Sequence, residues 1–122
     1  MKDHERFLVE NALPGRFRND APAVYASIQN YRRFMAGHNG VQVDFQQALE
    51  SWCAEIKNPI LRQLEKDIVI RVALGKDRSY NLFFPVLYET EERGFRFNPS
   101  IARKMALRRA EGLRNTIAGM LA

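Results

Sequence analysis

The sequence predicts a mainly α-helical fold, a compact single domain of five or six helices that spans residues 1–122. Apolar residues recur every three or four positions along most of the chain, and this spacing aligns side chains on one face of a helix. Asp, Asn, Pro and Gly stand at the borders of these apolar segments, where such residues begin and end helices. The alternative is an α+β fold in which residues 67–88 contain a β-hairpin.

Two helices are predicted in the first third of the chain. One covers Asp3 to Ala12 and ends at the turn-forming dipeptide Pro14-Gly15. The other begins at Asp20, an N-cap residue, and ends in the loop around Gly40. Its core face holds apolar residues at i, i+4, i+7 and i+11, namely Val24, Ile28, Tyr31 and Met35.

A third helix follows Asp44, whose short acidic side chain is favoured at an N-cap. The preceding segment Val41-Gln42-Val43 alternates like a very short strand or an extended linker. Trp52 is the only tryptophan, and its position on the apolar face of this helix predicts a core residue. That face consists of Phe45, Ala48, Leu49, Trp52 and Ile56.

Residues 59–74 are predicted to form the fourth helix, because Asn58-Pro59 supplies a cap followed by proline and Gly75 supplies a stop. Asp67 and Arg71 are expected to form an ion pair at i and i+4. The β-branched residues that begin at position 68 also suit a strand, so the hairpin in 67–88 stays open as the alternative. The expected core face consists of Ile60, Leu61, Leu64, Ile68 and Val72.

The segment from Ser79 to Arg93 has the weakest pattern. Pro85 breaks a regular helix but suits its first position, so a helix is predicted over Val86 to Arg93 and ends at Gly94. Exposed together, the large apolar side chains of this segment would form an adhesive patch, so they are expected to be buried. They are Phe83, Phe84, Leu87 and Tyr88.

The last helix, Asn98 to Leu121, is the longest. Asn98 is a good N-cap, and Pro99 occupies the first helical position, where a missing amide N–H costs nothing. Close packing against another backbone is the expected reason for Gly112 inside a helix. One apolar face is expected to pack against the neighbouring helices, and it consists of Ala102, Ala106, Ala110, Leu113, Ile117 and Met120.

Charge is distributed unevenly along the chain. The formal net charge is +5, and residues 62–122 carry all of it, with twelve basic and seven acidic groups. This excess predicts a non-enzymatic binding module that contacts the phosphate backbone of DNA or RNA through its C-terminal helix. A solvated basic face without a partner is the competing interpretation. The predicted contacts, which we call the basic set, are Arg93, Arg96, Arg103, Lys104, Arg108 and Arg114.

A protein–protein adaptor or a homo-oligomer is the alternative function. The same C-terminal helix, or the apolar segment 83–88, would then contact another protein or a second copy of the chain. No complete helix-turn-helix pattern marks a recognition helix for DNA, so the charge alone carries the nucleic-acid prediction.

The residues that enzymes use for chemistry are scattered. Cys53 and His38 have no local pattern of a nucleophile and its base, and two histidines with one cysteine lack the spacing of metal ligands. Glu89 and Glu92 share a helical face, but each has an arginine four residues later, so exposed ion pairs are favoured over paired catalytic carboxylates. We therefore expect no catalytic residue, no metal and no cofactor. An enzyme whose site is assembled from residues scattered along the chain stays open as a third function, because residue spacing does not reveal such a site.

The sequence further predicts a cytoplasmic location without membrane association. The single cysteine cannot form an internal disulfide, which suits a reducing compartment. No apolar run approaches the roughly 18 residues that span a bilayer. The charged N-terminal residues are not followed by the apolar core of a signal peptide.

Overall fold

The computed structural model describes residues 1–40 and 42–121, and helices account for most of them. Within these described residues, six α-helices contain eight residues or more and two are shorter. The described residues contain no strand, so the mainly α-helical prediction is confirmed and the hairpin in 67–88 is wrong. The α-helices are α1 (Asp3–Ala12), α2 (Ala21–Asn39), α3 (Phe45–Trp52), α4 (Asn58–Lys66), α5 (Ile68–Leu74), α6 (Lys76–Ser79), α7 (Phe83–Glu92) and α8 (Pro99–Leu121).

Three tighter or wider helical turns connect these elements. Gly15–Asp20 and Tyr80–Leu82 are 3-10 turns, and Cys53–Lys57 is a π-helical turn that joins α3 to α4. Lys57 is already helical, so Asn58 does not act as the predicted N-cap of α4. Val41, part of the predicted strand or linker, lies outside the described residues, and residues 42–44 have no regular secondary structure.

The chain forms two compact units, Met1–Ile56 and Lys57–Ala122, and whether they behave as a single domain stays a prediction. In the first unit α1, α2 and α3 pack against one another. Trp52 is fully buried, as predicted, and its Nε1 donates a hydrogen bond of 3.0 Å to Oγ of buried Ser27. Asp44 caps α3 as predicted, because its carboxylate accepts from the amide of Gln47 at 2.8 Å.

In the second unit α4 packs against α5, α7 and α8. α7 begins at Phe83, two residues before Pro85, because the first turn of a helix tolerates a residue without an amide N–H. Phe83 and Leu87 are buried as expected, whereas Phe84 is half-buried and Tyr88 is half exposed, so the prediction that all four large apolar groups are buried holds for only two of them. The fully buried side chains of this unit include Ile60, Leu64, Ile70, Leu82, Phe83, Val86 and Leu87.

Asp67 divides the predicted helix 59–74 in two. Its backbone is extended, with φ −72° and ψ 116°, and it separates α4 from α5. One carboxylate oxygen accepts hydrogen bonds from the amides of Val69, at 2.9 Å, and Ile70, at 3.4 Å. Asp67 is therefore the N-cap of α5, and the helix restarts at this residue with a new rotational phase.

The new phase determines which residues of α5 reach the core. Ile70 and Leu74 are buried, whereas Ile68 and Val72 are 76% and 83% exposed. The prediction that Ile68 and Val72 continue the core face of α4 is therefore wrong. It assumed an uninterrupted helix, in which residues at i, i+4 and i+8 share one face.

α8 begins as predicted. The amide of Ser100 donates to Oδ1 of Asn98 at 3.0 Å, and Pro99 is the first helical residue. Ile101, Ala102 and Ala106 are buried, but the later residues of the predicted core face are exposed or half-buried. The prediction of a buried face along the whole helix is therefore correct only for its first two turns.

Candidate functional site

The exposed apolar side chains of α5 and α8 converge on one groove. α5 packs against α8, and the groove follows the direction of α8 over about three turns, from Leu107 to Ile117. Its volume is about 680 Å³ and it is open to solvent. The α5–α8 groove is lined by Ile68, Val69, Val72, Ala73, Arg78, Leu107, Ala110, Leu113, Arg114 and Ile117.

The lining is aliphatic except for two arginines, Arg78 and Arg114. Both walls contribute exposed apolar groups, because Val72 of α5 and Ile117 of α8 are 83% and 55% exposed. Apolar side chains exposed on two adjacent helices form a contiguous patch, and such patches in water-soluble proteins mark interaction surfaces more often than isolated exposed residues do.

Asp67 attaches one end of the α5 wall to the α8 wall. Arg103 Nε of α8 lies 2.7 Å from Asp67 Oδ2, which also accepts a hydrogen bond of 3.1 Å from Gln63 Nε2 of α4. The same Gln63 amide donates to the carbonyl oxygen of Pro99 at 2.7 Å. The predicted partner of Asp67, Arg71, instead donates to the carbonyl oxygen of Glu65, so the predicted i, i+4 ion pair is wrong.

The environment of Asp67 favours the ionised carboxylate. Burial of the side chain, which is only 4% exposed, by itself raises the pKa. Hydrogen bonds from Arg103, Gln63 and the amide of Ile70, together with the charge of Arg103, outweigh this effect. The net result is a pKa below the ordinary value of 3.8.

The structure does not bring the basic set together on one surface. Arg103 is paired with Asp67, and Arg93 Nε lies 3.1 Å from Oε1 of Glu89, so two of the six predicted contacts are engaged in ion pairs within the chain. The Glu89–Arg93 contact confirms the prediction of an exposed i, i+4 pair at that position. Arg96 lies in the loop between α7 and α8 and is exposed.

The remaining members of the basic set occupy two faces of α8. Arg114 lines the α5–α8 groove, about 20° around the helix from Arg103. Lys104 and Arg108 lie about 100° and 140° from Arg103 and are exposed on a face that does not line the groove. The predicted basic surface is therefore divided between the groove and a separate face.

The residues considered for catalysis show no catalytic arrangement among the described contacts. The ring of His38 lies against Phe34 at a centroid distance of 4.1 Å, and its Nδ1 is 3.2 Å from the Phe34 carbonyl oxygen. Cys53 is half-buried in the π-helical turn. No group of three or more His, Cys, Asp or Glu side chains suited to a metal ion occurs in residues 1–40 and 42–121.

The sequence does not predict that α5 and α6 contribute side chains to the groove. Residue spacing predicts Ile68 and Val72 in the core, and Leu107 of α8 lies outside the apolar face predicted for that helix. The sequence contains one signal for the break at Asp67. Asp67 is followed by three β-branched residues, and an aspartate in this position suits an N-cap as well as a position inside a helix. Nothing in the sequence pattern places Arg78 at the groove.

Comparison of the chain with family models, curated proteins and solved structures finds no match. Among the described residues, no helix combines the length and the apolar character required to cross a membrane.

Proposed function

We propose that this chain is a non-enzymatic protein-interaction module, and that its α5–α8 groove receives the apolar face of one amphipathic helix from another protein. The observation that carries this proposal is the convergence of exposed aliphatic side chains from two helices on a single groove. Helix-in-groove recognition uses this arrangement, in which apolar anchors at i, i+3, i+4 and i+7 enter a hydrophobic groove.

The length and the open side of the groove suit a helix better than a small molecule. The α8 wall from Leu107 to Ile117 is about 15 Å long, which equals almost three helical turns. A small-molecule site encloses most of its ligand, whereas Ile68 and Val72 protrude into solvent and leave one side open. An apolar helix face would cover these side chains along their length.

The charge of the lining favours another protein over a second copy of this chain. The only charged residues among the lining side chains are Arg78 and Arg114. A symmetric dimer would use the same patch on both copies and would bring these arginines near their own counterparts. The net charge of +5 adds a further repulsive contribution to self-association.

The test uses a fluorescein-labelled helical peptide of roughly 18 residues, about five turns, with leucines on one face and glutamines elsewhere. We expect saturable binding by fluorescence anisotropy, and we expect Val72→Glu and Ile117→Glu to weaken it about tenfold or more, because each places a carboxylate in the apolar contact. Both positions are exposed, so the variants should fold. The absence of saturable binding would overturn the proposal.

Phe7→Glu is the matched control. Phe7 of α1 is a large apolar residue, 65% exposed, and it does not line the groove. Its replacement introduces the same carboxylate and should leave peptide binding unchanged. Light scattering of the wild type supplies the second control. If the wild type is a dimer that Val72→Glu dissociates, a second copy of the chain occupies the groove, and this result would contradict the proposal.

Backbone-directed binding of nucleic acid is the second candidate function. Lys104 and Arg108 support it, because both are exposed on one face of α8 and neither lines the groove. Such binding weakens steeply as salt increases. Random duplex DNA and RNA, each measured at low and at moderate salt against wild type and Arg108→Glu, test this candidate, and no binding at low salt would exclude it.

A further inference from the structure

A second groove adjoins the α5–α8 groove. Its volume is about 580 Å³, and it shares Arg78 and Leu113 with the first groove. The two grooves therefore meet at these shared side chains and form one continuous surface. The second groove is lined by Leu74, Arg78, Asn81, Arg109, Gly112, Leu113 and Thr116.

The continuous surface carries positive charge only. Its charged lining residues are Arg78, Arg109 and Arg114, and no aspartate or glutamate contributes to either groove. Arg109 makes a long hydrogen bond of 3.4 Å to the carbonyl oxygen of Asn81. Within residues 1–40 and 42–121, neither Arg78 nor Arg114 forms an ion pair.

The arrangement of these arginines matches one class of ligand. An arginine guanidinium recognises a carboxylate with two parallel hydrogen bonds, and it tolerates partial burial better than lysine does. Arginines beside an apolar groove therefore favour a partner whose acidic side chains border its apolar face. Nucleic acid does not present the large apolar groups that the aliphatic lining requires.

We infer that the helix received by the α5–α8 groove is acidic, with aspartate or glutamate beside its apolar face, and that Arg78 is the residue that determines this specificity. This inference rests on the proposed function. Arg78 has this role because it is the only charged residue that lines both grooves, so a carboxylate that reaches it from either groove meets the same guanidinium.

Three labelled helical peptides test the inference. They share one leucine face and differ only in the residues that flank it, which are glutamate, glutamine or lysine. We expect the glutamate peptide to bind roughly three- to tenfold more tightly than the glutamine peptide, and the lysine peptide to bind most weakly. The preference should decrease with added salt, because the three arginines are exposed to solvent.

Arg78→Gln should remove most of the preference for glutamate over glutamine while leaving the affinity for the glutamine peptide nearly unchanged. Arg108→Gln is the matched control, because it removes the same charge from the same unit at a position outside both grooves. A preference that survives Arg78→Gln, or that Arg108→Gln reduces equally, would overturn the role of Arg78.

The peptide series separates failure of the inference from failure of the proposed function. If none of the three peptides binds, the proposed function fails and the inference fails with it. If all three bind with equal affinity, the groove receives an apolar helix as proposed, and only the acidic character of the partner is refuted. If the lysine peptide binds most tightly, the assigned charge of the partner is refuted outright.

Discussion

Nε of Arg103 lies 2.7 Å from Oδ2 of Asp67. Asp67 therefore has two roles, because one carboxylate oxygen caps α5 and the other forms an ion pair with α8. The carboxylate therefore has two effects on the α5–α8 groove. It determines the rotational phase of α5, which brings Val72 to the surface, and it holds the start of α5 beside the helix that forms the opposite wall.

The ion pair of Asp67 predicts a specific pH dependence of stability. The pKa of Asp67 in the folded chain is below its ordinary value of 3.8, so the folded state favours the ionised form. Its contribution is fully present above the unfolded pKa and is lost as the pH falls through the folded pKa. Asp67→Asn keeps a capping side chain but removes the charge, and we expect it to cost about 0.5–1 kcal/mol at neutral pH, because Arg103 is half exposed.

Urea unfolding of wild type and Asp67→Asn between neutral pH and pH 3 checks this prediction. The difference in the free energy of unfolding should be constant at neutral pH and should shrink once the pH falls below about 4. Asp77→Asn, at an exposed aspartate in the first turn of α6, is the control and should show no such difference. A difference between wild type and Asp67→Asn that is as large at pH 3 as at neutral pH would contradict the assignment.

The phase of α5 predicts opposite outcomes for two β-branched residues that lie two positions apart. Ile70→Ala should destabilise the chain by about 2–5 kcal/mol, because Ile70 is fully buried. Val72→Ala should change stability by less than about 0.5 kcal/mol, because Val72 is mostly exposed. Thermal or urea unfolding measures both, and the reverse order would indicate an uninterrupted helix over 59–74.

The buried pair Trp52 and Ser27 predicts non-additive effects. Ser27→Ala leaves the indole N–H without its observed acceptor, and Trp52→Phe leaves the hydroxyl of Ser27 without its observed donor. Each variant should lose about 1–3 kcal/mol, with an additional loss for the smaller ring in Trp52→Phe. The double variant should lose clearly less than the sum of the two, and urea unfolding of all four proteins gives the coupling. Strict additivity would show that the hydrogen bond contributes nothing to stability.

Gly112 predicts a gain in helix stability. The sequence suggested close packing as the reason for this glycine, but a Cβ built at position 112 meets no atom within 4 Å. Gly112→Ala should therefore stabilise the second half of α8 by up to about 1 kcal/mol, seen as slower amide hydrogen exchange over residues 112–119.

Gly75→Ala provides the contrast. Gly75 ends α5 with φ +82°, a backbone conformation that is strained for any residue with a side chain. Gly75→Ala should therefore lose stability, although a Cβ at this position also meets open space. Protection that does not change in Gly112→Ala would show that this part of α8 gains nothing from helix propensity.

The sequence predicted the structure best where the apolar face and the N-cap residue indicated the same helix. Asp44 and Trp52 were assigned correctly because a single helix buries a single face there. The assignment of α5 was wrong because Asp67 suits both a cap and an i, i+4 ion pair, and only the distant residue Arg103 decides between them. Such a choice depends on tertiary contacts, which residue spacing does not contain.

The candidate site was harder to predict for the same reason. The sequence grouped Arg114 with Lys104 and Arg108 by charge alone, and it predicted Leu113 and Ile117 in a packed face of α8 rather than in a groove. On the folded helix Lys104 and Arg108 lie about 80° and 120° around the axis from Arg114. The groove itself depends on the packing of α5 against α8, and no local pattern specifies that packing.

The capping role of Asp67 also bears on how such a surface arises during evolution. A single substitution that removed the cap would favour one continuous helix, in which positions 68 and 72 turn towards the core side of α4. The exposure of the aliphatic side chains at these two positions therefore depends on one capping residue, without any change in the aliphatic residues themselves.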